Sequence, residues 1–99
     1  MSTLKFSSMQ ERKPVKVTVN GEDVCVTRIG NEVFAIGDIC THSDASLSEG
    51  EVTDFKIECW LHGAEFDLRT GEALTLPANI AAKTYPVTII DDTVEVQVN

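Results

Sequence analysis

Residues 15–36 read VKVTVNGEDVCVTRIGNEVFAI. Apolar and polar side chains alternate through Val15, Lys16, Val17, Thr18 and Val19, the period of a strand with one buried face. Asn20-Gly21 follows, a strong signal for a two-residue hairpin turn. The β pattern resumes over residues 23–29, turns at Gly30-Asn31 and runs again over 32–36. These segments predict a three-stranded antiparallel meander.

Downstream the character changes. Residues 37–50, GDICTHSDASLSEG, are rich in Ser, Asp and Gly without periodicity and predict a loop. A short strand is expected at 56–58 and a second loop at 59–65. Residues 66–68 and 73–75 flank Arg69-Thr70-Gly71-Glu72, a further hairpin turn. Pro77-Ala78-Asn79 breaks the pattern, and 80–83 has the composition for one helical turn. Residues 84–90 and 93–98 predict two strands joined by Asp91-Asp92. No window supports a helix of ten or more residues. The expected fold class is all-β, built of small antiparallel sheets, with two polar loops interrupting the middle.

A chain of 99 residues predicts one domain, 1–99, with a modest core. That leaves little room for both a substrate pocket and a catalytic apparatus. Sixteen acidic against eight basic side chains give a net charge of −8. Residues 1–16 run the other way, with Lys5, Arg12, Lys13 and Lys16 against Glu11 alone. An acidic surface repels phosphate backbones, which argues against nucleic acid as a partner. It would steer the protein toward basic patches on other proteins, or simply keep it in solution. No stretch approaches the roughly 20 apolar residues of a membrane span. Residues 1–16 lack the apolar run of a secretory signal. Three cysteines are a poor basis for a disulfide framework, so the expected compartment is the cytoplasm.

The two polar loops hold both histidines and two of the three cysteines. The first contributes Cys40-Thr41-His42 and the second Cys59-Trp60-Leu61-His62. Each therefore supplies one thiolate and one imidazole. Two irons bridged by two sulfides need four outer ligands. Two facing loops of this composition can supply them, with Cys40 and Cys59 on one iron and His42 and His62 on the other. Zinc could use the same donors, although zinc modules usually open with two closely spaced cysteines, absent here. A Cys–His nucleophile pair is a further alternative, but no residue stands out to orient it.

The spacing Cys-x-His, sixteen residues, Cys-x-x-His resembles the Rieske family. CTHSDASLSEGEV followed by CWLHGAEFDLRTGEAL resembles in particular the ferredoxin components of bacterial ring-hydroxylating dioxygenases. The resemblance implies a Rieske-type fold with an inserted cluster-binding subdomain at about 38–78. It implies one 2Fe–2S cluster on Cys40, His42, Cys59 and His62, and a one-electron carrier with no substrate chemistry of its own. The implied partners are a flavin-dependent ferredoxin reductase and a terminal non-haem iron oxygenase, met by transient docking of a monomer. The alternative is a tightly bound subunit, such as the Rieske-like small subunit of a nitrite reductase.

Departures from the family pattern carry information. High-potential relatives have two further loop cysteines, where this chain has Ala45 and Leu61. They also place Ser and Tyr hydroxyls on the cluster sulfurs, at the positions of Ala64 and Phe66. The resemblance therefore implies a potential toward the low end of the Rieske range, roughly −150 to +300 mV. It also implies solvent access for the outer nitrogens of His42 and His62, and a potential that falls with rising pH. Leu76-Pro77-Ala78 matches the family's third, cluster-shielding loop. Gly63 is expected to let backbone approach the cluster. Trp60 is expected to pack rather than face a partner. Cys25 reads as a buried structural thiol. Asp44, Glu49, Glu51 and Asp54 form either a docking surface or a solvated face.

Overall fold

The structure is a computed structural model and describes residues 4–39, 45–60, 63–75 and 80–98. Among the described residues, ten strands form three antiparallel sheets. In chain order they are β1 (Leu4–Lys5), β2 (Val15–Val19), β3 (Glu22–Ile29), β4 (Glu32–Gly37), β5 (Glu51–Thr53), β6 (Lys56–Glu58), β7 (Glu65–Asp67), β8 (Thr84–Tyr85), β9 (Val87–Ile90) and β10 (Thr93–Val96). The central sheet has the order β2-β3-β4-β8. A terminal sheet runs β1-β10-β9, and a small sheet in the middle of the chain runs β5-β6-β7.

The expected meander is present. Asn20 and Gly21 both adopt left-handed backbone, φ 51° and 80°, as a two-residue turn matched to strand twist requires. Asp91 and Asp92 do the same between β9 and β10, at φ 47° and 72°. In β3 the two-residue period sends Val24 and Val26 to one side of the central sheet and Cys25 to the other. Val24 and Val26 pack with Val17, Val33, Ala35 and Val94, between the central and terminal sheets. Cys25 lies opposite Ile36 in the ladder and shares its core with Ile57, Cys59 and Phe66 from the middle of the chain. Both faces of the central sheet are therefore covered, and for that reason VCV reads as an unbroken apolar run. Wholly buried Ile36, Ile57 and Phe66 each contribute about 1.5–3 kcal/mol through burial.

Three local expectations are corrected, and one strand is found where the sequence pattern assigns nothing. Residues 84–90 form two strands. Pro86 has no N–H for a ladder; before it Tyr85 pairs with Ala35 in the central sheet, and after it β9 pairs with β10. Residues 51–53 are a strand, paired one-to-one with Glu58, Ile57 and Lys56. Residues 73–75 form no strand; they meet β7 through the isolated Phe66–Ala73 bridge and through the Glu65 N–H, which donates to the Thr75 hydroxyl at 2.9 Å. Residues 80–83 form no helical turn; Ala82 is instead tied to Gly71, donating its N–H to the glycine carbonyl at 2.7 Å. The described helical structure consists of 3-10 turns at Phe6–Ser8 and Leu47–Glu49.

Strand β9 is at an edge of its sheet, and Ile89 and Ile90 on it are exposed.

Candidate metal centre

Of the four expected ligands, Cys59 lies among the described residues; Cys40, His42 and His62 lie outside them, as do Leu61, Asp44 and Leu76-Pro77-Ala78. What the structure shows is how the ends of the ligand-bearing loops are held.

The second loop begins where β6 ends. Glu58 pairs with Glu65, the last rung before the chain opens. The Cys59 N–H then donates to the Ala64 carbonyl at 2.7 Å, and the Gly63 N–H donates back to the Cys59 carbonyl at 2.9 Å. Gly63 makes this return at φ +75°, where a side chain is strained. A Cβ there would approach nothing closer than the Glu58 carboxylate, at 3.5 Å, so the glycine serves the turn's conformation. Cys59 is a free thiol with no exposed surface.

The first loop is pinched at its base by an antiparallel bridge between Ile39 and Ser46. Asp38, which sequence reasoning did not single out, organises that base. It is 1% exposed. Its carboxylate accepts the Ser48 N–H at 2.9 Å and a short bond from the Ser46 hydroxyl, and its carbonyl accepts the Leu47 N–H at 2.6 Å. Its own N–H donates to the Asp23 carbonyl at 3.0 Å, tying the loop to β3. The signal available in sequence was an acid two residues ahead of Cys40, followed by a Ser-x-Ser pair.

The two loops meet at Gly50. A Cβ there would sit 1.8 Å from the carbonyl oxygen of Glu58, the residue before Cys59. Beyond β7, Leu74 and Ala82 hold the chain on either side of residues 76–79. The Leu74 N–H donates to the Glu65 carbonyl at 2.7 Å, and the Ala82 N–H to Gly71, as above. Gly71, at φ +79°, has Ala82 so close that a Cβ would lie 2.1 Å from its carbonyl oxygen.

A metal bound at Cys59 would stabilise the thiolate that burial in this apolar core otherwise disfavours. The core neighbours of Cys59 include Ala45, Leu47, Ala64 and Phe66, all buried and none with a side-chain hydroxyl. Cys25 belongs to the same core, as expected of a structural thiol. Burial first, and the Asp38 charge second, push it up from an ordinary 9.0 to about 12, against a lowering contact with the Thr27 hydroxyl. Trp60 departs from expectation: it is 54% exposed and does not belong to either core. Ile39 and Ile80, which border other loops of the same region, are exposed as well. Glu49, Glu51 and Asp54 are solvated.

Comparison with known proteins agrees with this layout. A family profile described as Rieske [2Fe-2S] domain matches residues 2–86. The anthranilate 1,2-dioxygenase ferredoxin subunit of Burkholderia cepacia is 41% identical over 88 residues, covering 89% of this chain and 82% of that one. The ferredoxin of carbazole 1,9a-dioxygenase from Nocardioides aromaticivorans IC177 superposes with a TM-score of 0.94 at 31% identity, covering 97% of this chain and 94% of that one. A ferredoxin chain from a complex of reduced oxygenase and oxidised ferredoxin in carbazole 1,9a-dioxygenase gives 0.90 at 33% identity, covering 94% and 96%. No helix among the described residues is long and apolar enough to cross a membrane. The chain thus belongs to the Rieske [2Fe-2S] domain family, among the electron-transferring ferredoxin components of bacterial aromatic-ring dioxygenase systems.

Proposed function

We propose that Cys40 and Cys59 hold one iron, and His42 and His62 the other, of a Rieske 2Fe–2S cluster. It sits in a single domain, 1–99, whose cluster-binding part is about 38–78. Bound there, the cluster supplies one reversible electron. The protein collects that electron from a flavin-dependent ferredoxin reductase and delivers it to a terminal ring-hydroxylating oxygenase, as a monomer in the cytoplasm. The observation that carries this reading is the buried, free Cys59 at a closed loop base, locked through Glu58 and Gly50 to the end of the other ligand-bearing loop.

The chain's own residues have three tasks. Asp38, Gly50 and the Cys59–Ala64 bond hold the loops so that the donors converge. Buried Ala64 and Phe66 provide no hydroxyl, which keeps the potential toward the low end of the Rieske range, roughly −150 to +300 mV. The net charge of −8 favours brief, salt-sensitive docking on basic surfaces. A relative resolved together with its oxygenase supports that direction of delivery.

Iron and acid-labile sulfide analysis, with electron paramagnetic resonance of the dithionite-reduced protein, tests the centre. A rhombic signal of low average g-value is expected. His42→Ala or His62→Ala should abolish reversible reduction, and full retention of redox activity would remove their assignment. Stable co-purification with a large partner would favour a fixed subunit over a carrier.

A further inference from the structure

We infer that Asp38 is a positioning and potential-setting residue: a buried carboxylate that holds the first ligand loop and, by its charge, disfavours the added electron. This rests on the cluster reading above.

Three observations carry it. First, Asp38 is buried at 1% exposure yet forms none of the ion pairs found among the described residues, which are Arg12–Glu11, Lys56–Glu65 and Arg69–Asp67. Lys83, which lines the same groove, places its Nζ 5.4 Å from the Tyr85 ring centre instead. The described donors to the carboxylate are the Ser46 hydroxyl and the Ser48 N–H, which stabilise its charge without cancelling it. Second, the carboxylate's bonds fall on Ser46 and Ser48, while Asp38 itself stands two residues before Cys40, so it clamps both ends of the first loop. Third, the staple reaches the core that contains Cys59: Leu47, whose N–H the Asp38 carbonyl accepts at 2.6 Å, is buried in that core.

A buried carboxylate is costly, and a polar amide would make a similar loop staple at lower cost. A fixed negative charge differs from an amide in one respect relevant here. It opposes any step that makes its surroundings more negative, and accepting one electron is such a step.

Two variants of the holoprotein separate charge from staple. Asp38→Asn keeps an acceptor for the Ser48 N–H but removes the charge. Ser46→Ala removes a donor, weakening the staple while leaving the charge less shielded. In a spectroelectrochemical titration, Asp38→Asn should raise the reduced-to-oxidised ratio at fixed potential about tenfold, ~59 mV for a one-electron couple. Ser46→Ala should lower that ratio. An unchanged or lowered ratio in Asp38→Asn, or an unchanged or raised ratio in Ser46→Ala, overturns the inference. Should Asp38→Asn assemble no cluster, the Ser46→Ala result decides alone. If the unsubstituted protein has no reversible iron–sulfur couple, the cluster reading itself has failed, and that outcome is visible before either variant is made.

Discussion

Gly50 lies against Glu58 so closely that a methyl group on the glycine would overlap the glutamate's carbonyl oxygen, at 1.8 Å. Its φ of −88° is open to any residue, so the requirement is space alone. Gly50→Ala should force the end of the first loop away from the start of the second. The expected cost is about 1–3 kcal/mol, as for other overpacked contacts. Urea unfolding should show a lower midpoint at unchanged slope, and the iron content per protein should fall.

Phe66 is wholly buried, at the position that the family resemblance matches to a tyrosine of high-potential relatives. Phe66→Tyr should raise the midpoint potential if its ring lies as the resemblance implies. Hydrogen bonds to charged groups are worth roughly 1.5–3 kcal/mol, so the reduced-to-oxidised ratio should rise about tenfold or more. Redox titration measures it, and an unchanged potential would separate Phe66 from the cluster sulfurs.

Trp60 exposes over half of its surface beside Cys59. Trp60→Ala should therefore change stability by less than about 0.5 kcal/mol, in contrast to truncation of a core aromatic. If the ring meets a partner, the KM for oxygenase reduction should rise about tenfold while kcat holds, since exposed tryptophans often anchor interfaces. Steady-state kinetics with varied carrier concentration tests this, and an unchanged KM would make the ring's exposure incidental.

The Cys25 thiol is raised, to about 12 against 9.0 for an ordinary cysteine. A raised acid stays protonated in the fold while the unfolded chain already ionises. Its contribution is therefore complete below about pH 9 and is lost as pH climbs toward 12. Unfolding midpoints should decline from pH 9 upward, and Cys25→Ala should flatten that decline even though its small cavity lowers stability at every pH.

Much of the meander was legible because β2 alternates apolar and polar side chains, β3 and β4 are short apolar runs bounded by turns, and Asn20-Gly21 states its turn outright. The candidate ligands were legible for a different reason: histidine is scarce here, and both copies fall in loops that also hold cysteine. Other features depend on partners distant in sequence. Leu4 and Lys5 form a strand because Val94 and Thr93 lie beside them. Glu51–Thr53 is too short for periodicity to show, and it exists through its pairing with β6. Pro86 was a readable stop within residues 84–90, but the exchange of sheets it permits needed the third dimension. Asp38 looks like one acid among sixteen until its burial is seen. Trp60 shows the converse, since an aromatic side chain does not carry its own exposure in its name.

The outer rim of the terminal sheet offers neighbouring molecules an unfinished ladder, with Ile89 and Ile90 as apolar bait. Adjacent carboxylates guard it. Asp91 stands at the hairpin tip, and Glu95 faces Thr88 across the rung. Two copies meeting along that rim would crowd like charges, a deterrent to self-association at the high concentrations a shuttle protein can reach.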